Sequence, residues 1–316
     1  MRGDSIMNVI DRLDKDEIDV YTGIGLGNFD GLHIGHMALL NTLIYECRML
    51  DISPAVFTFT KHPGHILRKD LYQPLITSLK HKTEILSHMD LDYLVLQEFD
   101  EDFSEITATD FVKSILVEKL HAKLIVVGFN YRFGYLGEGD IHDLKKMGCE
   151  YGFKVIVVPP VAIDHEIVSS TLIRSYILKG NMERVFQLLG RHFSIPGQVS
   201  NGRRIGREIG FPTANLYPDP DMALPDFGVY ITRTYFANKW YNSITNIGLA
   251  PTIREDGSLS IETHLLEYQG DLYGQQIEVS FVKQIRGEIK FVSKDDLVEQ
   301  IKKDVNAAKM YYQFVI

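Results

Sequence analysis

The sequence predicts two domains of different architecture, an α/β domain with a doubly wound parallel sheet and then a small antiparallel β-barrel. Up to about residue 180, short apolar runs alternate with helical patterns, which is typical of a parallel sheet with helices on both faces. Beyond about residue 190, short β-rich runs are separated by Gly, Pro, Asp and Asn, which favours an antiparallel sheet or barrel. We therefore divide the chain into residues 1–186 and 187–316.

The first domain is predicted to be Rossmann-like, with strands and helices in alternation. The strands are expected over Val20–Gly25, Ala55–Phe59, Tyr93–Leu96, Leu124–Val127 and Val155–Val158. The helices are expected over Gly35–Leu50, Leu79–His88, Ala108–Leu120 and Ile141–Tyr151. Because ligands of such sheets gather at the carboxyl ends of the strands, the loops after the strands are candidate binding segments.

The second domain is predicted from four β-rich runs and a terminal helix. The runs are Val229–Thr234, Ser243–Ile247, Ile261–Tyr268 and Gln276–Val282. The helix carries one apolar stripe, which predicts packing on the barrel: Leu297, Ile301, Val305, Ala308 and Tyr312. The linker between the domains is expected near residues 187–193.

Charge and cysteine content narrow the class of protein. The formal net charge of −9 argues against a nonspecific nucleic-acid binder, which needs a basic face, but it is compatible with an enzyme acting on small anions. Cys47 and Cys149 are far apart and form no metal or redox motif, which suggests a reducing compartment. No apolar run approaches the length of a membrane span, so we expect a cytoplasmic protein with no membrane and no nucleic-acid partner. The sequence leaves the oligomeric state open.

The most informative segment is Gly27-Asn28-Phe29-Asp30-Gly31-Leu32-His33-Ile34-Gly35-His36. It follows a predicted buried strand and opens a helix, whose free N–H groups favour phosphate. His33 and His36 are three residues apart, so both can face the same ligand. Gly27, Asn28, Phe29 and Gly35 complete the predicted nucleotide-binding turn. The alternative is a glycine-rich turn with two surface histidines.

Two further loops follow predicted strands of the same sheet. His62 and Pro63 follow the second strand, where the histidine either faces an acceptor pocket or lies on the surface. Asn130 and Phe133 belong to Gly128–Gly134, whose aromatic, amide and arginine side chains suit a flat ring and a phosphate. The alternative for this second loop is aromatic packing in a glycine-rich connection.

A serine-rich segment near residue 170 begins another predicted helix. One hydroxyl of Ser169, Ser170 and Thr171 is expected to cap this helix, and Arg174, one turn inside it, can reach transferred phosphates. With the histidines, these groups can donate to the oxygens of a nucleotide triphosphate and stabilise the charge on them.

A second candidate site lies in the predicted barrel. Its glycines and arginines, including Gly206, Arg207 and Gly210, can wrap and neutralise phosphates. Thr213 and Asn215 are two residues apart, so on an extended segment their oxygens can share Mg²⁺, which takes few protein ligands. The alternative for the whole segment is a basic β-turn.

These motifs together resemble the bacterial bifunctional riboflavin kinase/FAD synthetase family. The first half carries His-x-Gly-His, Asn-Tyr-Arg-Phe-Gly and Ser-Ser-Thr-Leu-Ile-Arg, in the order of a nucleotidylyltransferase domain. The second half carries Gly-Phe-Pro-Thr-Ala-Asn, Asn246-Ile247-Gly248, Pro251-Thr252, Glu262-Thr263-His264 and Asp271-Leu272-Tyr273-Gly274, in the order of a riboflavin kinase domain.

The resemblance implies two reactions, riboflavin to FMN in the barrel and FMN to FAD in the first domain, with Mg²⁺ and ATP. It implies that the first site holds ATP and its transition state through His33, His36, Asn130, Ser170, Thr171 and Arg174. It further implies that Glu262 takes the proton of the ribityl 5′-hydroxyl, although the local pattern alone favours a solvent-facing strand residue. His62, Pro63 and Phe133 are the expected flavin contacts.

One departure and two alternatives remain. The family has an acidic residue and a proline ahead of the His-Pro pair, whereas this chain has Thr60 and Lys61, which alters the charge near the acceptor. The first alternative is an adenylyltransferase that acts on another phosphorylated acceptor. The second is a regulator that binds flavin and nucleotide without turnover. The second phosphate-binding motif argues against the first alternative, and the retained candidate catalytic residues argue against the second.

Overall fold

The structure is a computed structural model that describes residues 6–11, 13, 18–61, 64, 73–200, 209–249 and 259–314. Contacts divide the chain into two compact units, Met1–Ser170 and Thr171–Ile316. This division falls earlier than residue 186, because the helix Met182–Leu189 packs on strands of the second unit. The domain boundary after residue 186 stays a prediction.

A six-stranded parallel sheet forms the centre of the first unit. Its strands are β1 (Asn8–Ile10), β2 (Thr22–Leu26), β3 (Ser53–Phe59), β4 (Tyr93–Gln97), β5 (Ala122–Gly128) and β6 (Lys154–Val158). The strand order is β1-β4-β3-β2-β5-β6. From β2 the chain adds β3 and β4 on one side, and it then returns to add β5 and β6 on the other side of β2. The predicted doubly wound sheet is therefore confirmed, and the carboxyl ends of β2 and β5 lie at its switch point.

Helices cover both faces of this sheet. They are α1 (Ile34–Leu50), α2 (Leu79–Ser87), α3 (Glu101–Ser104), α4 (Ala108–Asp110), the π-helix Phe111–Lys119 that continues α4, and α5 (Ile141–Tyr151). Leu40 and Leu43 of α1 pack on one face, and Val112 and Leu116 of the π-helix pack on the other. A two-stranded hairpin, β7 (Ala162–Ile163) and β8 (Glu166–Ile167), precedes α6 (Ser170–Ile177).

The second unit is a closed antiparallel barrel. After α7 (Met182–Leu189) come β9 (Phe193–Ser200), β10 (Ala214–Leu216), β11 (Gly228–Phe236), β12 (Lys239–Leu249), β13 (Leu259–Leu265) and β14 (Gln276–Arg286). They close in the order β10-β13-β12-β11-β14-β9, so the predicted barrel is confirmed. The expected linker near residues 187–193 comprises the end of α7 and a short connection to β9.

The terminal helix α8 (Lys294–Phe314) packs on the outside of the barrel. Val305, Ala308 and Tyr312 of the predicted stripe contact a cluster that includes Ile231 and Ile244. The Tyr312 hydroxyl also donates a 2.5 Å hydrogen bond to a carbonyl of β11. Over the described part of the chain, no helix combines the length and apolarity needed to cross a bilayer.

Candidate active sites

The turn between β2 and α1 is held in an uncommon backbone conformation. Phe29, Gly31 and Leu32 have positive φ angles of 49°, 84° and 41°. The Phe29 and Leu32 side chains are fully buried, so the surrounding core holds a conformation that non-glycine residues rarely adopt. A Cβ on Gly31 would lie 3.1 Å from Ile76. Such enforced turns are typical of functional loops.

His33 and His36 lie together at the start of α1. His33 is the N-cap residue, and its Nδ1 accepts the backbone N–H of His36 at 3.2 Å. The neutral His33 ring therefore carries its proton on Nε2, the nitrogen that can donate to a ligand. The two rings stack with centroids 3.6 Å apart, and the Phe29 and His36 rings meet edge to face with centroids 5.3 Å apart. The structure thus places both predicted histidines at one helix N-terminus.

Asp30 and Ser170 tie this turn to two other segments. The Asp30 carboxylate is buried and accepts the backbone N–H groups of Ile76 and Thr77 at 2.9 and 3.2 Å. The Ser170 hydroxyl donates to the Asp30 carbonyl at 2.8 Å. Ser170, the first residue of α6, is thereby brought to the turn, as a shared site requires.

The remaining predicted residues of the adenylylation site occupy varied environments. Arg174 on α6 is only 5% exposed, which excludes the ordinary reading of a solvated surface arginine. Thr171 is exposed, and Asn130 is exposed in the turn directly after β5. Phe133 is 6% exposed and packs against Phe111 and Tyr131 in the core, so its expected contact with the flavin remains a prediction.

The loop after β3 is only partly described. His62 and Pro63 lie outside the described residues, so their expected flavin contacts stay predictions. Lys61, which stands near the position of the expected acidic residue, lies 3.4 Å from Glu98 in an exposed ion pair. The charge of the lysine is therefore partly offset at the surface by a neighbouring carboxylate.

In the barrel, three polar residues form one row across neighbouring strands. Glu262 of β13 is directly opposite Asn215 of β10 on one side and Asn246 of β12 on the other. Opposite residues of paired strands project from the same face of a sheet. The next residue, Thr263, is fully buried, so the row lies on the opposite, outer face. The structure thus brings Glu262 and Asn215 together, and it adds Asn246, which the sequence placed in a motif without a role.

A cavity of about 460 Å³ is lined by Ala214 and Thr263, the sequence neighbours of Asn215 and Glu262 whose side chains face the other way. Thr213, half-buried directly before β10, borders it together with Asp271 and Tyr273 of the Asp-Leu-Tyr-Gly motif. Gly210, with φ of 85°, makes a left-handed turn ahead of this segment. Gly206 and Arg207 lie outside the described residues, so their predicted phosphate contacts are not placed.

His264 holds the segment that carries Thr213. Its Nδ1 lies 2.7 Å from the Pro212 carbonyl, which can only accept, so Nδ1 carries a proton and donates. Its ring meets Phe211 edge to face at 5.7 Å. Burial lowers the pKa of His264, which favours the neutral ring. The sequence alone predicts no role for this histidine, although its place two residues after Glu262 is a signal.

The oxygen groups of the barrel row suit a hard divalent cation. The Asn215 side chain is 9% exposed and offers a neutral amide oxygen next to the Glu262 carboxylate, and Thr213 offers a hydroxyl. Mg²⁺ takes oxygen ligands of this kind and keeps several waters. Within the described ranges, no cluster of three or more His, Cys, Asp or Glu side chains could hold a metal.

Comparisons with known proteins agree for both units. A family model for FAD synthetase matches residues 15–172, and a model for riboflavin kinase matches residues 189–312. A Buchnera aphidicola bifunctional riboflavin kinase/FMN adenylyltransferase is 35% identical over 95% of this chain and 96% of its own length. The Escherichia coli K12 protein of that name is 36% identical over 91% of each chain.

One solved structure covers nearly the whole chain. A crystal structure described as that of a macrolide-efflux protein from Streptococcus pneumoniae is similar with a TM-score of 0.86 and 30% identity, over 96% of this chain and 99% of the other. The word efflux describes that protein, whereas both family models and the curated relatives agree on another family. On that agreement, the chain belongs to the family of bifunctional riboflavin kinase/FMN adenylyltransferases.

Proposed function

We propose that this chain makes FAD in two steps, one in each domain. Residues 187–316 phosphorylate riboflavin with ATP to give FMN, and residues 1–186 transfer the adenylyl group of a second ATP to FMN. The observation that carries the proposal is the row in which Glu262 stands directly between Asn215 and Asn246, with Thr213 two residues before Asn215. A carboxylate base next to metal and phosphate ligands is the arrangement that hydroxyl phosphorylation needs.

In the kinase step, Glu262 accepts the proton of the ribityl 5′-hydroxyl. The resulting oxygen attacks the γ-phosphorus of ATP, the bond to the β-phosphate oxygen breaks, and ADP leaves. The family, which uses ATP, implies a divalent metal, and we propose that Thr213 and Asn215 hold it as Mg²⁺. Such an ion neutralises charge that develops on the phosphates during transfer. Gly206, Arg207 and Gly210 complete the phosphate contacts.

In the adenylylation step, an oxygen of the FMN phosphate attacks the α-phosphorus of ATP and pyrophosphate leaves. Nε2 of His33 donates to the phosphate oxygens, and His36 and the first N–H groups of α1 stabilise the charge that develops on them. Ser170, Thr171 and Arg174 bind the triphosphate. The glycines and Asn28 of the turn give ATP close access to the backbone.

The thiols bear on where this chemistry takes place. Cys47 is buried and Cys149 is exposed, and both are free. An exposed free thiol persists in a reducing compartment. We therefore propose a cytoplasmic location, where riboflavin and ATP are both available to the enzyme.

Chromatography of flavins after incubation with riboflavin and Mg-ATP tests both activities together. The wild-type chain is expected to form FMN and then FAD. Glu262→Gln is expected to slow FMN formation by roughly 10²–10⁴-fold while FAD still forms from supplied FMN. His36→Ala is expected to slow FAD formation by about 10²-fold while FMN formation continues.

Matched controls use exposed residues of the same types. Glu267 lies just beyond β13, and His142 lies on α5. Neither Glu267→Gln nor His142→Ala is expected to change the rate of FMN formation or of FAD formation. Release of pyrophosphate with an acceptor other than FMN, and none with FMN, would assign the first domain to a different acceptor. Flavin binding without any consumption of ATP would assign the chain to the class of non-catalytic regulators.

A further inference from the structure

Lys82 is a buried cation that takes no part in the two reactions as described above. It lies on α2, and only 7% of its surface is exposed. Its ammonium donates to the Asn28 carbonyl at 2.8 Å and lies 3.4 Å from the Thr58 hydroxyl. Asn28 begins the turn that carries His33, so the lysine contacts the backbone of the adenylylation site.

Lys82 is one of several groups that hydrogen-bond to that turn from neighbouring elements. The Thr58 hydroxyl, near the end of β3, also donates to the Asn28 carbonyl at 3.1 Å. Asp30, two residues on, accepts two backbone N–H groups from the segment just before α2. Asn28, Asp30 and Lys82 border a cavity of about 20 Å³. The turn is thus fixed from both β3 and α2.

Stability alone does not explain a charge at this place. Burial lowers the pKa of Lys82 to about 8, against the opposing effect of the Asp30 carboxylate, which means that the surroundings disfavour the cation. An apolar side chain of similar length would avoid that desolvation, although it would leave the buried Asp30 carboxylate without this neighbouring cation. Residues that cost stability yet contact a reactive loop are characteristic of functional sites.

We infer that Lys82 is a positioning residue for adenylyl transfer: it holds the Asn28 carbonyl so that His33, His36 and the N-terminus of α1 face the reacting phosphates. This inference rests on the proposed function of the first domain. The ammonium does not touch the substrate. It acts through the turn, and a small displacement of the groups that stabilise a transition state lowers kcat more than substrate binding.

The test compares Lys82→Met with the control variant Lys80→Met. Lys80 is exposed and lies two residues earlier on the same helix. Steady-state kinetics of FAD formation are measured with FMN and ATP varied, and FMN formation from riboflavin is measured in the same preparations. For Lys82→Met, kcat for FAD formation is expected to fall by about tenfold or more, with both KM values within about threefold of wild type. The rate of FMN formation by Lys82→Met is expected to equal that of wild type. Lys80→Met is expected to form both FMN and FAD at wild-type rates.

A second variant, Thr58→Val, removes the hydroxyl that shares the Asn28 carbonyl while keeping the side-chain volume. It is expected to lower kcat for FAD formation by about threefold or more and leave FMN formation intact. If Lys82→Met does not fold, this variant decides alone. FAD formation at wild-type kcat, or an equal loss of both activities, overturns the inference. If the wild-type chain itself forms no FAD from FMN, the proposed function fails and the inference fails with it.

Discussion

Replacing Asp304 with alanine is expected to destabilise the barrel by about 3 kcal/mol. Asp304, on α8, has a side chain only 3% exposed and accepts Nε and a terminal nitrogen of Arg286 at 3.0 and 2.8 Å. Gln300 donates a further bond at 2.9 Å. Breaking a buried pair costs roughly 3–5 kcal/mol, and the 17% exposure of the Arg286 side chain places the cost at the lower end. For a unit of this size the expected fall in Tm is about 6–12 °C.

The assay follows the barrel through its own fluorophore. Trp240 is the single tryptophan of the chain and lies on β12, so its emission during heating reports unfolding of the second unit. Glu299→Ala removes an exposed ion pair with Lys303 on the same helix and is expected to leave Tm within about 1 °C. Removing both charges of the buried pair, with Asp304→Leu and Arg286→Met, is expected to restore most of the lost stability. A Tm for Asp304→Ala equal to that of Glu299→Ala would refute the reasoning.

Three further predictions concern the turn, pH and the metal. Gly31→Ala places a Cβ on a residue with φ of 84°, 3.1 Å from the Ile76 side chain, so the rate of FAD formation is expected to fall by about tenfold or more. The control is Gly152→Ala, because Gly152 has a similar φ of 78° but open space around it. Burial lowers the pKa of His192 and His264 below 6.5, so the unfolded state binds more protons and Tm is expected to fall as pH drops from about 6.5 toward 5; an unchanged Tm over that range contradicts this. Thr213→Val is expected to raise the Mg²⁺ concentration for half-maximal FMN formation, and Thr213→Ser to leave it near wild type.

The sequence predicts the main elements of the first unit well because hydrophobic periodicity and turn chemistry agree there. The strand predicted over Val20–Gly25 is observed over Thr22–Leu26, and the helix predicted over Gly35–Leu50 begins one residue earlier, at Ile34. β1 and β10, by contrast, are three residues long, which is too short for a period to appear in the sequence.

Site residues that are close together in sequence are predictable from a motif, whereas contacts between residues far apart in sequence are not. His33 and His36 are close in sequence, so a motif predicts their shared helix N-terminus. Lys82 contacts Asn28 across 54 residues and Thr58 across 24, and nothing in the local pattern distinguishes it from the exposed Lys80. A lysine on a helix is ordinarily expected in solvent, so only the three-dimensional contacts reveal its role.

The barrel interior shows why alternation predicts strands better than it predicts which face is buried. Five hydroxyl side chains with no exposed surface lie inside the barrel: Thr232, Thr234, Ser243, Thr245 and Thr263. They bond to one another in a connected network with oxygen separations of 2.7 to 3.5 Å. Because each hydroxyl finds a partner, burial does not carry the cost of an unpaired polar group. Buried hydroxyls therefore occupy the interior next to the site, and the Asn215–Glu262–Asn246 row lies on the opposite face of the same strands.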